Sequence, residues 1–142
     1  MNLLKPTQVK CLLIVILFAA LFSCTYTKSF PPKLNSKGDT VLSHIKSTYH
    51  FDDIDLVEKT TSGSQVDETV LTLKLFNGKT LPAEADTAAL KKLGKVVASE
   101  IKTAVVDAAK INTYTILFCT RVIDGNSTNT NYIGYEYKSS DL

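Results

Sequence analysis

The sequence is poor in the groups that most often carry chemistry. It has two histidines, His44 and His50, and three cysteines, Cys11, Cys24 and Cys119. No pair of them stands at a zinc-ligand spacing, and no Gly-rich phosphate loop or Gly-x-Ser-x-Gly elbow is present. His50 lies beside Asp52 and Asp53, which reads as a solvated turn with an aspartate cap rather than a metal site. Cys119 has no histidine that the sequence places next to it, so a nucleophile and base pair is not expected. No catalytic residue, metal ligand or cofactor site is therefore assigned. A cluster of Lys and Arg is also missing. Without that electrostatic footprint, which neutralises phosphates, a nucleic-acid partner is excluded.

Long apolar runs are equally scarce, with one exception near the start. Leu12 to Phe22 is uninterrupted and uncharged, yet a bilayer-spanning helix needs about 20 residues. Its length fits the central region of an export signal. The preceding stretch carries Lys5 and Lys10 and no acid, which holds that end on the cytoplasmic side during translocation.

The run ends in Leu21-Phe22-Ser23-Cys24, followed by Thr25. This resembles the box of the bacterial lipoprotein class, although Phe22 is bulkier than is usual there. The resemblance covers Met1 to Cys24 only. It implies a signal peptide over residues 1–23, cleavage before Cys24, a diacylglycerol thioether on its sulfur, and commonly a third chain such as palmitate on the new amino group. Two or three acyl chains anchor stably where one does not, since each buried methylene contributes about 0.8 kcal/mol. Thr25 supplies no acidic retention signal, so the class implies the outer membrane of a Gram-negative envelope.

Removal of that segment changes what composition means. Of 16 Lys and Arg, Lys5 and Lys10 leave with the signal, so 14 basic residues then face 14 Asp and Glu. The mature chain is neutral. About 119 residues remain, enough for one hydrophobic core and too few for two domains. With Cys24 acylated, Cys119 has no disulfide partner. It sits in the apolar run Tyr114 to Val122 and reads as a small buried hydrophobe.

Residues 24–37 are polar, with Pro31-Pro32 at their centre. They are expected to be a lipidated cysteine and a flexible tether holding the domain about 20 to 40 Å from the bilayer. A single domain is expected over residues 38–142. Val41, Leu42, Ile45 and Tyr49 predict a helix from Asp39 or Thr40, capped by Asp39. Strands are expected over Asp53 to Thr61 and Gln65 to Asn77, the second with Thr69, Leu71, Leu73 and Leu75 on one face. Leu90, Leu93, Val97, Ile101, Ala104, Val105 and Ala108 predict a long helix from Asp86 or Thr87 to about Ala109. Gly94 within it marks either a close crossing or a cost of about 1 kcal/mol against Ala. Thr113 to Ile123 and Asn131 to Lys138 read as a second hairpin joined by a polar loop.

The expected fold is α+β: a two-layer domain of order α-β-β-α-β-β, with a four-stranded antiparallel sheet and helices packed on one face. Leu117, Arg121, Tyr135 and Tyr137 are the candidate binding surface, provided the last strand aligns its tyrosines with the open face of its neighbour. Such a surface suits an envelope protein, a peptide or a glycan. The functional expectation is a lipid-anchored, non-enzymatic binding or assembly module of the bacterial envelope. The alternatives are an envelope hydrolase or inhibitor, and a structural subunit that self-associates through a sheet edge.

Overall fold

The computed structural model describes residues 25–63, 67–125 and 127–142. The expected export signal, residues 1–23, and Cys24 lie outside them. The element order is β1 (Tyr26–Phe30), α1 (Gly38–Thr48), β2 (Asp53–Ser62), β3 (Glu68–Phe76), α2 (Thr87–Ala104), β4 (Thr113–Asp124) and β5 (Ser127–Lys138). The strands form one sheet in the order of the chain.

That architecture corrects the four-stranded antiparallel expectation in two ways. A fifth strand, β1, pairs antiparallel with β2 from Tyr26↔Ser62 to Phe30↔Glu58. In addition β3 and β4 are parallel, with Leu71 opposite Tyr114 and Leu75 opposite Phe118, so the sheet is mixed. The cause is α2. Its 18 residues rise about 27 Å, enough to carry the chain from the end of β3 back to the level where β3 began. Segments β3, α2 and β4 are thus a parallel crossover unit.

Both helices feed one buried cluster on a single face of the sheet. Leu71, Leu73 and Leu75 of β3 and Tyr114, Ile116 and Phe118 of β4 meet Leu90, Val97, Ile101 and Ala104 of α2, with Ile45 from α1. The alternation along β3 and the helical period of α2 make these contacts, each fully buried Leu, Ile or Val contributing about 1.5 to 3 kcal/mol. Gly94 is a close crossing. A Cβ there would fall 2.4 Å from the Tyr137 hydroxyl, which donates to the Lys91 carbonyl at 2.7 Å.

Two helix ends differ from expectation. Asp39 is not the cap of α1 but lies in its first turn, with Lys37 at the cap position and no side-chain bond there; its charge still complements the helix dipole. Helix α2 stops at Ala104, short of Ala109, because Val105 is extended and bridges Leu34. Asn35 then closes the helix end: its backbone N–H donates to the Ala104 carbonyl at 2.9 Å and its Nδ2 to the Thr103 carbonyl at 2.8 Å. Asp86 caps the other end, accepting from the Ala89 N–H.

The tether expectation is therefore corrected as well. Residues 26–30 are a sheet strand, and residues 33–35 are bonded to the end of α2, with Val106 N–H donating to the Lys33 carbonyl. All five residues of β1 are exposed. The strand is held by its backbone pairing and by one side-chain contact, Thr27 Oγ1 to Thr61 Oγ1 at 3.3 Å, so no buried apolar alternation marks it and its sequence reads as polar chain.

Candidate functional site

The four residues expected to form one surface divide between the two faces of the sheet. Leu117 and Arg121 lie on the open face, which no helix covers. Tyr135 and Tyr137 lie on the helix face, opposite Ile116 and Tyr114. Tyr137 is buried, and the Tyr135 hydroxyl donates to the Thr87 carbonyl at the start of α2. The tyrosines complete the core. The reason is register: Asp124 pairs with Ser127, so the strands are joined by two residues, with Gly125 at a φ of 57°. A two-residue hairpin link fixes which residues share a face. Reading Gly125-Asn126 as that two-residue link, rather than Asp124-Gly125-Asn126 as the start of a longer loop, would have placed both tyrosines correctly.

On the open face, register sets Asp55, Lys74, Leu117 and Gly134 in one row and Asp53, Phe76, Cys119 and Tyr132 in the next. Lys74 donates to Asp55 at 2.9 Å. A Cβ on Gly134 would fall 2.7 Å from Leu117 Cδ2, so Leu117 leans across β5. The Arg121 guanidinium lies 4.1 Å from the centre of the Phe76 ring, within range of a cation–π attraction. Asn77 holds this corner from a left-handed conformation, φ 52°. Its Oδ1 accepts from Arg121 N–H at 2.7 Å, its Nδ2 donates to Asp52 at 3.1 Å, and its N–H donates to the Cys119 carbonyl.

Cys119 is 4 % exposed. Burial pushes its thiol above the ordinary range, against the pull of Lys74 and Arg121 in the other direction. It is a packed thiol, since the reactive form is the thiolate. His44 is on α1, across the sheet from it. Asp52 is engaged with Asn77, and among the described residues no group of three or more His, Cys, Asp or Glu is placed to hold a metal ion.

Sequence reasoning missed two features. The first is an arm. β3 pairs with β4 only as far as Cys119, while β4 and β5 continue as a two-stranded hairpin through Asp124 and Ser127. Five residues at about 3.4 Å each carry it roughly 17 Å past the sheet. It exposes Ile123 by 71 % and Val122 by 54 %, and Tyr132, 68 % exposed, stands at its base opposite Cys119. Such side chains on a projecting ribbon mark a contact surface. The second is a cleft of about 410 Å³ between β1 and the segment after α2, lined by Phe30, Lys33, Glu58, Thr60, Thr69 and Lys110 among others. Both charge signs and two hydroxyls line it.

Among the described residues no helix is long and apolar enough to cross a membrane. No protein family matches this chain, and neither a curated protein nor a solved structure does.

Proposed function

We propose that the chain is a lipid-anchored bacterial envelope protein that works as a non-enzymatic binding or assembly module. The observation that carries the anchor is Leu21-Phe22-Ser23-Cys24 at the end of a short export segment. The binding surface is the β4–β5 arm with the adjoining open face, where Leu117 and Arg121 lie beside the exposed Ile123 and Tyr132. The occupant is an envelope protein, peptide or glycan. Anchoring confines the module to one surface and raises its effective concentration toward partners there.

A test is affinity copurification from crosslinked envelopes, comparing the native chain with Cys24→Ala and with Ile123→Asp/Tyr132→Asp. The expected outcome is a partner recovered with the native chain, lost with the Ile123→Asp/Tyr132→Asp variant, and reduced when the anchor is absent. A partner recovered equally with all three chains would contradict the reading.

Self-association through a sheet edge is a second reading, favoured by the outer edge of β5. Its stretch from Ser127 to Tyr135 holds neither charge nor proline, the devices that usually blunt a free edge. Sedimentation of the full Cys24→Ala chain separates the two: a dimer supports edge pairing, and a monomer at high micromolar concentration removes it.

A further inference from the structure

We infer that the β1 edge of the sheet lies along the bilayer surface, with Tyr26 and Phe30 in the interface and Lys28 and Lys33 on lipid phosphates. This rests on the anchor proposed above and goes beyond it. Cys24 is two positions before Tyr26, and consecutive Cα atoms stand about 3.8 Å apart, so at most about 8 Å of backbone separates acyl attachment from strand. That distance is comparable to one headgroup layer, about 5 to 8 Å deep. The domain is docked against the membrane, not suspended above it.

The side chains at that edge suit the location. Tyr26, Lys28 and Phe30 project to one side of β1. Tyr26 is 61 % exposed and Phe30 40 %, and the Lys28 ammonium lies over the Tyr26 ring at 5.3 Å. Val106, 54 % exposed, is bonded through its N–H to the Lys33 carbonyl and extends the same patch. Aromatic rings with lysines that keep their charged heads in water are the chemistry of a membrane interface. Lys28 and Lys33 take part in none of the ion pairs among the described residues. Neighbouring Asp107 is spent on Lys110 at 3.0 Å, leaving Glu58 as the acid in the cleft behind. With β1 on the lipid, the sheet stands on its edge. Four interstrand spacings of about 4.8 Å place β5 roughly 19 Å further from the bilayer, where its arm meets partners.

The chain contains no tryptophan, so one introduced indole reports alone. Acylated full chain carrying Tyr26→Trp, Phe30→Trp or Tyr132→Trp is placed in vesicles of phosphatidylethanolamine and phosphatidylglycerol, some brominated near the headgroup end of the acyl chain. The expected result is blue-shifted, strongly quenched emission at 26 and 30, and water-like, unquenched emission at 132. Lys28→Glu with Lys33→Glu should move the emission at 30 toward that of water while the acyl chains keep the protein on the vesicle. Emission at 30 as unquenched as at 132 would overturn the docking, because the domain would then stand on its Tyr26 end or hang free. Intact mass on the same samples separates this from a failed anchor: an unmodified Cys24 refutes the anchor, whereas an acylated chain with a water-exposed residue 30 refutes only the orientation.

Discussion

Tyr137 joins the layers through one hydroxyl. It is buried in β5, reaches the Lys91 carbonyl on α2, and leaves no room for a side chain at Gly94. Alanine favours a helix over glycine by about 1 kcal/mol, but overpacking costs about 1 to 3 kcal/mol. Gly94→Ala is therefore expected to lower the midpoint of thermal unfolding. In a Tyr137→Phe background, where the offending oxygen is gone, the same change should cost less, and a double-mutant cycle measures the coupling. The same residue sets a pH response. Burial, with a smaller contribution from Tyr135, pushes the Tyr137 phenol up from 10.0 to about 12. Its contribution to stability is fully present below pH 10, where both states are protonated. It is lost as pH rises from 10 to about 12, because the unfolded chain ionises first. Burial raises Tyr49 and Tyr114 in the same sense, so chemical denaturation across this range should show an alkaline decline that Tyr137→Phe lessens without abolishing.

Among the elements, α2 depends on a residue more than 50 positions away from its start. Asn35 bonds the last carbonyls of the helix and its Oδ1 accepts from Lys37 N–H, joining the end of α2 to the start of α1. Asn35→Ala is expected to destabilise the domain by about 1 to 2 kcal/mol, the usual size of a lost cap. Hydrogen exchange should quicken first at the end of α2. Asn35→Asp keeps the acceptor for Lys37 and loses the donor for Thr103, so it should recover only part of the loss. None of this is visible in the polar composition of residues 25–37, because β1 and Asn35 act through backbone and amide groups. What was legible was what burial imprints: the period of α2 from Leu90 to Ala104, the alternation of Leu71, Leu73 and Leu75, and the break at Asn77-Gly78. The parallel pairing of β3 with β4 was hidden because it depends on the path of α2 across the sheet, not on either strand's pattern. The candidate surface divided for a related reason. Tyr135 and Tyr137 have the same side chains whichever face they take, and only the length of the link after Asp124 decides it.

For the molecule as a whole, the two edges of the sheet differ in kind. The β1 edge begins two residues after Cys24 and carries aromatic rings and lysines; the β5 edge is long, uncharged over Ser127 to Tyr135, and continues into a projecting arm. In the proposed arrangement one edge meets lipid and the other meets a partner, with the helices and the open face between them exposed to the aqueous space. Everything in that arrangement depends on Cys24. The most direct measurement is the intact mass of the amino-terminal peptide of the protein isolated from cell membranes. The account predicts a chain that begins at Cys24 and carries a diacylglycerol, commonly with a further acyl chain on the new amino group. A chain that retains Met1, or one that begins elsewhere with an unmodified Cys24, would contradict it.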